Sequence, residues 1–69
     1  MVETSDAAKL RDNWNEDRLG QYEGRWIAFR NGEVEGANLN LGFLLERYAS
    51  DIRDGISPIF AFVWFKGFQ

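Results

Sequence analysis

The sequence predicts an α+β fold: an N-terminal helix, then a ββαβ core with a three-stranded antiparallel sheet of spatial order 2-1-3 and one helix packed on one face. Three observations predict it. Residues 59–65 form an unbroken apolar run just after the only proline, Asn31-Gly32 separates two short β-patterned segments, and residues 41–52 repeat apolar side chains at helical spacing. All 69 residues are read as one domain, with residues 1–20 as the helical segment and 22–69 as the ββαβ core.

The elements follow in chain order. Thr4, Ser5 and Asp6 are good N-cap types, and Ala7, Leu10, Trp14 and Arg18 then share one helical face. Asn13 and Asn15 weaken this helix, and Gly20 is expected to end it. Residues 25–30 and 33–37 read as two strands joined by a type I′ turn at Asn31-Gly32, where both central residues need positive φ. A regular two-residue hairpin then pairs Arg30 with Glu33, Phe29 with Val34, Ala28 with Glu35 and Ile27 with Gly36. One face carries Ile27, Phe29 and Val34, and the other carries Trp26, Ala28, Arg30, Glu33 and Glu35.

Asn38 or Asn40 caps the next helix, whose stripe is Leu41, Leu44, Leu45, Tyr48 and Ile52. Glu46, Arg47, Ser50, Asp51 and Asp54 are expected to face water. Gly55 stands where the helix should stop, and Pro58 prevents it from resuming. The last strand is expected over 59–66, beside the first strand and antiparallel to it, after a right-handed crossover. The helix over 41–52 is expected on the Ile27, Phe29 and Val34 face. The opposite face receives either Phe60, Phe62 and Trp64 or Ile59, Ala61, Val63 and Phe65, with Leu10 and Trp14 of the N-terminal helix as its cover.

Composition narrows the function classes. A chain of this size buries only about 60% of its unfolded surface, so small domains lean on disulfides, metals or oligomerisation. Cys is 0 and His is 0, which removes disulfides and the commonest transition-metal ligands. Dense packing of the 3 Trp, 2 Tyr and 6 Phe, or self-association, remains. The net charge of −3, with 8 basic and 11 acidic residues spread along the chain, shows no basic patch for phosphate contacts. The first residues lack a signal-peptide pattern, and the terminal apolar run falls well short of the roughly 20 residues that span a bilayer. A cytoplasmic location is expected.

The segment Tyr22-Glu23-Gly24-Arg25-Trp26-Ile27-Ala28, followed by Asn31-Gly32-Glu33-Val34, resembles a small prokaryotic domain family of unknown function. Its pattern reads Tyr, any, Gly, Lys or Arg, Trp, Val or Ile, Ala, a short gap, Asp or Asn, Gly, any, Val. Trp14 upstream and the Leu-rich stretch 41–45 downstream extend the similarity over residues 14–63. The resemblance implies the ββα plus β arrangement and brings no activity, cofactor or site residue with it. The chain departs from the pattern at its end, where such domains carry a shorter strand with fewer bulky aromatics.

No cofactor, metal or small-molecule substrate is expected. Without His or Cys, acid–base work would fall to carboxylates, Lys or Tyr. Glu33 and Glu35 share a strand face, but the simpler reading pairs Glu33 with Arg30 and leaves Glu35 in water, at about 0.2–1 kcal/mol for such a pair. Asp51 and Asp54 lack the spacing of a calcium loop. An edge strand without charge is a pairing hazard unless covered, and here only Lys66 supplies charge. The expected function is therefore a non-enzymatic protein–protein interaction module. It homodimerises or docks on a protein partner through Phe60, Phe62, Trp64, Phe65 and Lys66 of the last strand, with Trp26 beside them. A specific form is a phage- or mobile-element-encoded inhibitor of a host defence protein. The alternative is single-stranded nucleic-acid binding, with bases stacking on the Trp26 face.

Overall fold

A computed structural model describes residues 5–65. Ser5 caps helix α1 (Asp6–Asp12), its hydroxyl accepting from the Ala8 amide at 3.2 Å. Asn15 opens a new turn, α2 (Glu16–Leu19), by accepting from the Arg18 amide at 2.9 Å. The N-terminal segment is thus two short helices, because Asn13 and Asn15 bond locally instead of continuing one. Gly20 does not end the second in a left-handed turn; at φ −58° it leads into a 3-10 turn over Gly20–Tyr22. The positive φ falls on Gly24, at 84°.

Strands β1 (Trp26–Arg30) and β2 (Glu33–Asn38) form the predicted hairpin, with Asn31 at φ 57° and Gly32 at φ 80°, as a type I′ turn requires. Strand β3 (Ile59–Phe62) lies antiparallel on the other side of β1, so the sheet order is β2-β1-β3, as expected. The regular strand is shorter than 59–66, although Val63 continues the pairing: its amide donates to the Arg25 carbonyl at 2.9 Å. Lys66 lies outside the described residues.

The hairpin register differs from the regular one beyond its first two pairs. Arg30 faces Glu33 and Phe29 faces Val34, but Ala28 faces Gly36 and Ile27 faces Ala37. Glu35 is the extra residue of a β-bulge. The bulge allows Val34 and Ala37, which differ in parity, to pack against the same cluster around Ile27 and Phe29. It also places Gly36 next to Ala28, and these two small residues leave a shallow patch on the other face.

That patch decides where the second pair of helices sits. Helix α3 (Leu41–Arg47), capped by Asn40, and helix α4 (Ala49–Arg53) meet at Tyr48, where the backbone leaves helical geometry at φ −103° and ψ 18°. One helix over 41–52 was expected; the turn at Tyr48 divides it in two. Leu44 and Tyr48 are buried with Ala28, and Trp26 and Phe60 pack around them. A Cβ on Gly36 would meet Leu44, Arg47 and Tyr48, each at 3.6 Å. The helices therefore cover the Trp26 and Ala28 face, not the Ile27, Phe29 and Val34 face. The covers are exchanged, since Leu10 and Leu19 from α1 and α2 seal Ile27, Phe29 and Val63, with Trp14 against the cluster. The physical reason is space: helix side chains approach a sheet most closely where the strands carry Gly and Ala.

Gly55, at φ 78°, stops α4 as expected. No helix among the described residues is long and apolar enough to cross a membrane.

Candidate protein-binding edge

β3 is an outer strand, and its backbone defines the candidate site. The Val63 amide bonds the Arg25 carbonyl, and the Gly24 amide bonds the Val63 carbonyl at 2.8 Å. In an antiparallel ladder, residues bonded to the neighbour alternate with residues whose backbone groups point away. Ile59 and Ala61, which share Val63's parity, therefore bond β1. Phe60 and Phe62 turn their N–H and C=O groups outward.

Side chains alternate in the same way. Phe60 and Phe62 lie on the Trp26 and Ala28 side, and Trp64 follows beyond the end of the regular strand. Phe62 stands 5.5 Å from Trp26 between ring centroids, and Phe60 stands 5.9 Å from Tyr48. Phe62 is still 43% exposed and Trp64 60% exposed. On the opposite side Ile59, Ala61, Val63 and Phe65 join the first cluster, and Phe65 meets Trp14 at 5.9 Å. Of the six residues expected at the interface, Trp26, Phe60 and Phe62 come together in the structure. Phe65 belongs to the other face, and no charged side chain occurs from Ile59 to Phe65.

A groove of about 520 Å³ adjoins this edge, lined by Ala7, Leu10 and Arg11 of α1, by Trp14 between α1 and α2, and by Ile59 of β3. Its floor was not anticipated from sequence, although Ala7, Leu10 and Trp14 were read as one helical stripe. Asp6 holds α1 at the hairpin tip by accepting from the Asn31 amide at 3.3 Å.

A polar cluster at the far end of β1 does structural work. Arg30 donates from Nε and Nη2 to the Glu35 carboxylate at 3.2 and 3.0 Å, and from Nη1 to Asp51 at 3.2 Å and to the Ile56 carbonyl at 2.6 Å. The expected Arg30–Glu33 pair is replaced by one with the bulge residue, because the bulge carries the Glu35 carboxylate to the guanidinium. Asp51 and Glu35 are accordingly engaged rather than solvated. Hydrogen bonding to Glu35 is the largest influence and raises the Arg30 pKa; desolvation opposes it, and the Glu35 charge with the hydrogen bond and charge of Asp51 complete the rise. The Tyr48 hydroxyl also donates to Glu35, at 3.3 Å. Burial, helped by the Glu35 charge, pushes the Tyr48 pKa above its ordinary value of 10.0. With Glu35 committed to Arg30 and Tyr48, the two strand carboxylates do not form a free pair.

No family model, curated protein or solved structure matches this chain. The hairpin segment from Tyr22 to Val34 has a physical meaning of its own. Gly24 and Asn31-Gly32 supply the positive φ values, and Trp26, Ile27 and Ala28 furnish both faces of the central strand.

Proposed function

We propose that this chain is a non-enzymatic protein-binding module that receives an extended segment of a protein partner, or of a second copy, on the outer edge of β3. The observation that carries the reading is the pairing of outward backbone groups at Phe60 and Phe62 with an uncharged, aromatic strand exposing Phe62 and Trp64. Strand addition satisfies donors and acceptors that have no partner among the described residues and buries those rings in one step. A phage- or mobile-element inhibitor that caps a host protein is one biological setting for such a surface, and a cytoplasmic site of action fits it. The alternative, base stacking on the Trp26 face, is less well supported, because Leu44 and Tyr48 lie over that face and Trp26 is half-buried.

The test combines sedimentation with capture of binding partners. Wild type is expected to dimerise at high micromolar concentration or to retain a specific protein partner. Phe62→Pro, which removes an outward N–H, is expected to lose either association while staying folded. A compact monomer with no partner would defeat the proposal.

A further inference from the structure

We infer that the segment received by β3 is the carboxyl-terminal tail of a protein ending in an apolar residue, with that residue in the α1–β3 groove and its terminal carboxylate at Arg11. The inference rests on strand addition to β3 and specifies the chemistry of what is added. Three features carry it. The groove is lined by the apolar side chains of Ala7, Leu10, Trp14 and Ile59, which suit an apolar side chain. Arg11 is its one cationic lining residue, is exposed, and has no carboxylate within ion-pair distance among the described residues.

Direction supplies the third feature. The groove meets the sheet at Ile59, the first residue of β3. An incoming strand that pairs antiparallel, the more stable arrangement per residue, runs from Phe62 towards Ile59. Its last residue therefore arrives beside the groove. Side chains of an added strand alternate between faces, so the terminal residue's side chain turns to the α1 side when it is level with Ile59. An apolar side chain and a carboxylate on one residue then meet an apolar groove and a guanidinium, and Arg presents a planar fork suited to a carboxylate.

The experiment uses a library of randomised heptapeptides with free carboxyl termini, and the same library amidated, each panned against the full chain. Enrichment of free-carboxylate peptides ending in an apolar residue is expected. For a selected peptide, amidation or Arg11→Ala should weaken binding by about tenfold, corresponding to about 1.4 kcal/mol, while Arg11→Lys should recover part of the loss. Equal binding of amidated and free peptides overturns carboxylate capture. If that binding is also lost in Phe62→Pro, strand addition survives alone. Binding unchanged by Phe62→Pro overturns strand addition itself, and failure of both libraries to bind overturns the inference.

Discussion

Gly36 and Glu35 together determine much of this architecture, one by having no side chain and the other by being one residue too many for a regular ladder. Gly36 admits Leu44, Arg47 and Tyr48 to the sheet at ordinary contact distance from an imagined Cβ. Gly36→Ala should accordingly change stability by less than about 1 kcal/mol, since the added methyl fits and the backbone gains rigidity. Gly36→Val should cost about 1–3 kcal/mol through overpacking under α3. Denaturant melts of the two variants check this, and equal effects would contradict the close approach. At Tyr48 the pH dependence has a definite sign. Its folded pKa is raised by burial and then by Glu35, so its contribution is complete below the unfolded value of about 10 and is lost as pH rises through the folded value. Tyr48→Phe should cost about 0.5–1.5 kcal/mol at neutral pH by deleting the hydroxyl's bond to Glu35. The difference from wild type should shrink above about pH 10, where the unfolded tyrosine ionises first; a constant difference across that range would contradict the assignment.

Among the elements, the strands and the turn were the most legible in the sequence. Asn31-Gly32 fixed the hairpin because few residues accept two successive positive φ values, and Pro58 with the apolar run located β3. The faces were less legible. Val34 and Ala37 are both apolar yet differ in parity, which is the signal of the bulge, but one extra residue is invisible to a period-two reading. Without the bulge, Gly36 sits opposite Ile27, and the small-residue patch that attracts α3 does not appear. Helix continuity was misread for a related reason: apolar spacing passes through Tyr48 and through Asn13 to Asn15 without recording local backbone turns. The outer position of β3 was legible from the expected sheet order 2-1-3, whereas the groove depends on where α1 lands and was not. The outward direction of the Phe62 amide yields a prediction at this scale. Phe62→Pro should fold, since proline is tolerated where an edge N–H faces away from the sheet. Ala61→Pro, which removes an N–H bonded to β1, should fail to fold or lose several kcal/mol, on the order of 3. Circular dichroism melts distinguish the two, and similar losses would show that the ladder parity is wrong.

At the scale of the whole molecule, both sheet faces are covered from within the chain, by α1 and α2 on one side and by α3 and α4 on the other. The candidate function stays on the edge, where the sequence reading put it: Leu10, Leu19, Leu44 and Tyr48 explain folding, while Phe60 and Phe62 keep outward backbone groups. Residue-resolved amide hydrogen exchange tests that claim most directly, measured on the dilute free chain and again under conditions of association with a second copy or a bound peptide. The amides of Ala61 and Val63 should be protected throughout, and those of Phe60 and Phe62 should exchange rapidly in the free chain and become protected on association. Association that leaves Phe60 and Phe62 exchanging as fast as before would contradict strand addition at β3.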